Sequence, residues 1–302
     1  MKKGFLKKNK IFNINLLYIL SLIPVVIYGF WKNGYLMYKH DYMTLFKSTQ
    51  YLVIPVVIIV LSYVFEIYYY LGIKKEDNLD HAYNTIVPYA NVLCYLVCGP
   101  MDKLYITIPI IIVLDIILKL TDEQINVNQV ALFKVLLFVA LTIMGSYNNA
   151  NLYERSLSIS FESVEYFMGR GIGEIGTTSA LFVLIGFIIL LFNKYYKKDI
   201  AISSLLSYIL VSLIVYFVGG VKLSNILLHT FSSGFLFASL FVATFSNCTP
   251  VVKGGRILYG ICVGMLSAIL VNILHFYVGI YILILVLGIA TPLFNKFKVD
   301  LD

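Results

Sequence analysis

Ten apolar stretches of roughly membrane-spanning length follow one another along this chain and leave almost no room for anything else. They lie near residues 13–31, 50–73, 83–99, 104–120, 129–147, 177–193, 200–220, 225–246, 256–275 and 277–294. Crossing the hydrocarbon of a bilayer takes roughly 20 mostly apolar residues in a helix, because every backbone polar group must be satisfied inside the segment. Of the 302 residues 60% are hydrophobic and 13% charged, and the mean hydropathy is +0.88, well outside the balance of a water-soluble domain. The expected fold is an all-α polytopic membrane protein of about ten transmembrane helices, a single membrane domain over residues 1–302. The third stretch is the weakest, since Asn84, Pro88 and Asn91 interrupt it and Cys98-Gly99-Pro100 ends it. It reads as a broken or re-entrant segment held among other helices.

Lys and Arg set the expected orientation. With a cytoplasmic amino terminus and ten crossings, one side receives MKKGFLKKNK, Lys74-Lys75, Lys119, NKYYKK, KGGR and NKFK, and the other only scattered charges. That asymmetry follows the positive-inside rule, so both termini are expected in the cytoplasm and the protein in the cytoplasmic membrane. The net charge of +7 is then an orientation signal and an affinity for the anionic lipid bilayer; no basic groove suits a nucleic acid. The first apolar stretch is too continuous for a cleaved signal peptide. Four cysteines, Cys94, Cys98, Cys248 and Cys262, are too few and too deep in apolar sequence for a disulfide framework, and no metal site is expected from them.

The largest polar interruption, residues 148–177, divides the chain into a first five-helix half (1–147) and a second (178–302). Its middle, ISFESVEYFMG, alternates in a way that suits a short interfacial segment. Each half contains a weakly helical stretch ending in a turn, IVPYANVLCYLVCGP in the first and FLFASLFVATFSNCTP in the second. An odd number of helices per half would make two such repeats inverted, as in many transporter folds.

Two polar constellations stand out. GRGIGEIGTTSALFVLIGFIILLF, residues 169–192, has no strand before it, which excludes a soluble nucleotide-binding loop. It would place Gly173, Gly176, Thr177, Thr178 and Ser179 at a helix amino terminus on the outer surface, with Arg170 beside it, an anion-friendly end; simple capping by Thr and Ser is the plainer alternative. In SNILLHTFSSGFLFASLFVATFSNCTPVVKGGRILYG, residues 224–260, Ser232, Ser233 and Gly234 form a small polar face within the eighth helix, and Thr244, Ser246, Asn247, Cys248 and Thr249 end it. Polar residues at such depth line protein, water or a ligand. Among ionisable residues in apolar surroundings, Asp115, Lys134, Glu66 and His229 are costly in a bilayer and mark a paired site or an ion path. Glu66 and His229 lie near helix ends; Asp115 and Lys134, on consecutive helices, are the expected ion pair or relay.

At these residues the chain resembles the RnfD/NqrB family, the ten-helix flavin-bearing membrane subunits of ion-coupled NADH-dependent electron-transfer complexes. GEIGTTSAL at 173–181 is similar to the family's G-S-I-G-E-T-S-x-L. LLHTFSSGFLFASLFVATFSNCTPVVKGGRILYG follows its L-L-S-G-G…A-T-D-P-V-T-S-P…G-R-x-x-x-G pattern, with Ala243, Thr244, Pro250, Gly255, Arg256 and Gly260 in register. IPVVIYGFWKNGY, Glu66 and INVNQVAL around Asn126 and Asn128 are fainter matches in the first half.

The resemblance implies an RnfD/NqrB-like, urea-transporter-like fold of two inverted five-helix halves and a membrane subunit of an ion-translocating oxidoreductase complex, acting with other membrane subunits of that complex. The family carries FMN on the Thr of an S/T-G-A-T motif. No threonine lies between Thr142 and Thr177, the hydroxyls of Ser156, Ser158 and Ser160 lack that context, the Asp of A-T-D-P is Phe245, and TDEQ at 121–124 replaces the family's G-G-L-G. Covalent FMN is therefore not expected. A non-covalent FMN or riboflavin would place its phosphate end at Arg170, Gly173, Gly176, Thr177, Thr178 and Ser179, with Ser232, Ser233 and Thr244 lining the pocket and Asp115, Lys134 and Glu66 on the ion path. A small-solute transporter or channel, or a non-redox scaffold, are the competing readings of the same fold.

Overall fold

The computed structural model describes residues 2–75, 85–98, 104–120, 127–144, 162–170, 173–220, 222–245 and 248–297, with side chains from Leu16 onward. Asn126, the serines at 156, 158 and 160, Gly171, Ser246 and Asn247 lie outside it. Every described element is helical, and each of the ten apolar stretches carries a helix.

The first, α1 (Lys2–Gly29), continues into a π-helical turn, Phe30–Leu36. Next comes α2 (Leu45–Tyr68), capped by the Thr44 hydroxyl and likewise closing in a π-helical turn, Tyr69–Ile73. Then follow α3 (Val87–Leu96), α4 (Leu104–Leu120), α5 (Gln129–Ile143) and the short α6 (Ser163–Met168) in the central loop. The second half contains α7 (Ala180–Leu191), α8 (Lys198–Gly219), α9 (Leu223–Ser232), α10 (Phe235–Phe237, prolonged by the π-helical Ala238–Val242), α11 (Lys253–Asn272), α12 (Gly279–Ile289) and α13 (Thr291–Phe294).

The spans are unequal. Leu16–Lys39, Leu45–Ile73, Lys198–Gly219 and Lys253–Asn272 are each long and apolar enough to cross a bilayer, and α9 with α10, bent by 55° at their junction, are together long and apolar enough for a broken span or a re-entrant loop. α3, α5, α7 and α12 are apolar but shorter. The long helices show lipid-facing stripes, as in Val56, Val60 and Val64 of α2, because lipid is as apolar a neighbour as protein. Tight association comes instead from small residues. α8 and α11 approach so closely that a β-carbon on Gly260 would lie 1.9 Å from Ser203 Oγ, and one on Gly264 2.1 Å from the Ser204 carbonyl.

The interior holds two irregular elements, α3 and the bent pair of α9 with α10. α3 is expected from its sequence to be irregular, and it is a ten-residue half-helix whose residues from Pro88 onward, through Cys98, are all buried. The eighth stretch departs from expectation. Ser232, Ser233 and Gly234 do not form a face within a continuous helix; Ser232 ends α9, and Ser233 and Gly234 are the break before α10, where Gly234 takes φ +74°, a conformation that a side chain disfavours. Beyond the break, Phe235, Phe237, Leu240, Phe241 and Val242 are fully buried. The four cysteines are free thiols, three of them buried.

Candidate functional site

A half-helix that ends inside the protein leaves backbone carbonyls to be satisfied at one end and places its few polar side chains among apolar neighbours. α3 does both, and polar groups from four other segments collect around it.

Asn91, in the middle of α3, is the hub of the first cluster. Its amide Nδ2 donates to Asp115 Oδ2 of α4 at 2.7 Å and to Ser62 Oγ of α2 at 2.9 Å. Gln129, the first residue of α5, donates its Nε2 to Asp115 Oδ1 at 2.7 Å and to Asn91 Oδ1 at 3.0 Å. Both carboxylate oxygens of Asp115 thus accept short, charge-assisted bonds from neutral amides, the type of partner that holds a buried anion without cancelling its charge. All four side chains are at least nine-tenths buried.

One turn further along the same faces lie Glu66 of α2 and Lys119 of α4, paired at 3.0 Å. The i, i+4 spacing of Ser62 with Glu66 and of Asp115 with Lys119 brings the two pairs together, and Glu66 and Lys119 act electrostatically on Asp115. Lys119 Nζ also lies over the rings of Tyr69 and Tyr70, 5.2 and 5.0 Å from their centroids, and the Tyr69 hydroxyl donates to the Lys119 carbonyl. Lys74 approaches the same tyrosine, its Nζ 5.6 Å from the Tyr69 centroid. Two carboxyl groups buried among apolar helices are costly unless cations or protons meet them; Lys119 meets Glu66, whereas the hydrogen bonds to Asp115 come from neutral amides.

The second cluster caps the other end of α3. Lys134 Nζ donates to the Val97 carbonyl at 2.7 Å and forms an ion pair with Glu174. An ammonium at a helix carboxyl terminus meets the negative end of the helix dipole and satisfies an orphan carbonyl. Lys134 lies five residues along α5 from Gln129, so the two clusters are about 7.5 Å apart along that helix. Asn128, the N-cap of α5, donates to the Val242 carbonyl at 2.9 Å, so α5 serves the ends of both interrupted helices.

The expected pairing of Asp115 with Lys134 is not what the structure shows. Asp115 faces α2 and α3 and is held by Asn91 and Gln129, whereas the long Lys134 stem reaches away from it to Val97 and Glu174. Of the expected charged residues, Glu66 and Asp115 share one cluster and Lys134 lies in the other. Gln129 and Glu174 complete the clusters and were not singled out from sequence, while Asn91 was read only as an interruption of its helix and Lys119 only as an orientation charge; the signal available was the i, i+4 spacing of Asp115 with Lys119.

The glycine-rich stretch has a different arrangement from the expected outward-facing helix end. α7 begins at Ala180 with Ser179 as its N-cap, and residues 173–178 tuck against α3. The Gly176 amide donates to the Leu96 carbonyl at 2.7 Å and the Ile175 amide to the Cys98 carbonyl at 3.4 Å. Thr178 Oγ1 donates to the Ile175 carbonyl and Ser179 Oγ to the Phe167 carbonyl. A β-carbon on Gly176 would come 2.8 Å from Leu96 Cβ, so the glycine serves close packing on α3. Arg170 is largely exposed and pairs with Glu165 at 3.5 Å. The amides of Ile175, Gly176 and Thr177 and the hydroxyls of Thr178 and Ser179 are spent on the protein's own carbonyls, so these donors are not offered to a flavin phosphate. Ser233 Oγ accepts from the Phe235 amide and Thr244 Oγ1 donates to the Leu240 carbonyl, at opposite ends of α10, so they do not line one pocket.

Comparison with known proteins bears on this arrangement. Over 100 residues the chain is 33% identical to a protein of Methanosarcina acetivorans that is named as a subunit of an ion-translocating oxidoreductase complex, an alignment covering 33% of this chain and 32% of that protein. The chain therefore matches about a third of that relative's length. The profile of the NQR2, RnfD, RnfE family matches residues 4–300, both clusters included. The chain belongs to the NQR2, RnfD, RnfE family.

Proposed function

We propose that this protein is a membrane subunit of an ion-translocating oxidoreductase complex and that its own contribution is a cation path along α3. The observation that carries the reading is the cluster of Glu66, Lys119 and Asp115, buried among apolar helices, in which Asp115 takes its hydrogen bonds from neutral amides. A cation arriving there is met by the Asp115 carboxylate, and the amides of Asn91 and Gln129 hold Asp115 in place in both states. The ion pair of Lys134 with Glu174 stands at the far end of the half-helix as the next station. Family membership and the name of the archaeal relative support the complex; the other membrane subunits are its partners, and electron transfer in them drives the ion.

In this reading both termini are cytoplasmic and the two five-helix halves are inverted copies, so the cluster with Lys119 lies toward the cytoplasm and Glu174 toward the outside. Flavin is not assigned to residues 173–179, where the amides of Ile175, Gly176 and Thr177 bond to carbonyls, and covalent FMN has no part in the path. The test is the complete complex reconstituted in liposomes and driven by its electron donor, with internal pH and 22Na+ followed together. Electron-transfer-driven accumulation of either cation is expected. Full electron transfer with movement of neither overturns the proposal.

A further inference from the structure

Asn128 and Gln129 stand side by side at the start of α5 and reach in different directions. Gln129 Nε2 donates to Asp115 Oδ1 at 2.7 Å and to Asn91 Oδ1 at 3.0 Å. Asn128 Nδ2 donates to the Val242 carbonyl at 2.9 Å, while its Oδ1 accepts from the Ala131 amide at 3.1 Å and so caps α5. Asn128 is 1% exposed and Gln129 8%, so bulk water does not compete for these bonds. One carboxamide makes both of the Asn128 bonds, and turning it away from Val242 also uncaps α5. The first turn of α5 is thereby tied at once to the Asp115 cluster and to α10.

Val242 is the last residue of the π-helical turn Ala238–Val242, in which the Ala243 amide bonds the carbonyl five residues back, that of Ala238, at 2.8 Å. Such turns are rare, occur singly within α-helices and are frequent at functional sites. Side chains from outside the helix hold this one: the Tyr196 hydroxyl donates to the Leu240 carbonyl at 2.7 Å, and Asn128 to that of Val242. Returning the turn to α-helix shifts each residue beyond it by one position, about 100° around the axis. That motion requires Val242 to leave Asn128.

We propose that Asn128 and Gln129 form a latch that reads the charge at Asp115 and holds or releases the π-helical turn of α10. The latch rests on the cation-path reading and adds how occupancy of the Asp115 site is passed on. With Asp115 ionised and no cation present, its bond from Gln129 is charge-assisted, roughly twice as strong as a neutral one. The start of α5 is then held firmly between α4 and α10. A cation on Asp115 offsets that charge; Gln129 stays bonded but more weakly, the first turn of α5 gains freedom, and Asn128 loosens on Val242. A ligand shifts a conformational equilibrium only by its differential interaction with the two states. Here the difference is the charge assistance of the Gln129 bond.

The test uses the complete complex, in lipid nanodiscs for hydrogen exchange over residues 235–245 and in proteoliposomes for the ratio of cations moved to electrons transferred. Asp115→Asn removes the charge that Gln129 meets. Asn128→Ser keeps an N-cap for α5, but its hydroxyl stops a bond short of where Asn128 Nδ2 stands. Exchange over 235–245 is expected to quicken at least fivefold in each variant, and no further in the double variant, because both open the same link. In Asn128→Ser electron transfer continues while the cation ratio falls at least fivefold; that arm decides alone if the Asp115 variant does not assemble. Exchange or ratio within twofold of wild type in Asn128→Ser, or effects that multiply in the double variant, overturn the latch and leave the path standing. An unchanged ratio in Asp115→Asn overturns the path and the latch with it.

Discussion

Replacing Lys119 by methionine removes the ammonium that faces Glu66 while keeping most of the stem that packs on Tyr69 and Tyr70. Glu66 is 0% exposed and Lys119 6%, so the carboxylate left behind has no water to turn to. Breaking a buried pair on one side costs about 3–5 kcal/mol. With a transition entropy of roughly 2.1 cal/mol/K per residue over 302 residues, that is a fall in melting temperature of roughly 5–8 °C. Glu66→Gln alone strands the ammonium and falls similarly. The double variant loses both charges at once and melts well above the sum of the two losses, because a neutral pair of similar volume carries no desolvation penalty. Thermal melting of the four proteins in detergent gives the coupling directly. If the two single losses add to within about 0.5 kcal/mol in the double variant, the charges are not coupled and the cluster as described is wrong.

Three further outcomes follow from other parts of the structure. Gly264→Val brings a β-carbon to about 2.1 Å from the Ser204 backbone carbonyl, which no rotamer relieves, so the α8 and α11 contact opens and the protein loses about 1–3 kcal/mol or more, read as a lowered melting temperature. Lys197, just before α8, hydrogen-bonds Thr249; burial first, and Arg256 second, lower its amine from 10.5 to about 8. Its folded-state pKa is below its unfolded one, so the folded state binds fewer protons between these values and stability rises as pH increases from about 8 to 10.5; Lys197→Met removes that rise from the melting profile. In-gel fluorescence of the denatured 34.2 kDa chain shows no flavin, since no threonine stands in an attachment context; a fluorescent band sinks that expectation.

The helices were legible because apolar runs of spanning length have few alternatives in a bilayer, and the half-length of α3 was legible in Pro88, Asn91 and Gly99-Pro100. The break after Ser233 was not, because three small residues are equally consistent with close helix packing and with a positive φ at Gly234. Burial of Asp115 and Lys134 could be read from their neighbours, but their partners could not. Which groups they meet depends on how α5 is placed beside α3, and a lysine stem reaches about a turn of helix from its own Cα. The glycine-rich stretch was read as donors facing outward. Its amides turn inward because the interrupted end of α3 offers unsatisfied carbonyls, and a helix that stops inside the protein attracts whatever donors lie near it.

The central claim is that a cation passes through the cluster held by Asn91 and Gln129. Asp115→Asn keeps its shape and removes its charge, leaving Glu66 and Lys119 balanced. The decisive measurement is the ratio of cations moved to electrons transferred in proteoliposomes of the complex carrying this variant. The account predicts that electron transfer continues while the ratio falls at least tenfold; an unchanged ratio with an intact complex places the path elsewhere and contradicts it.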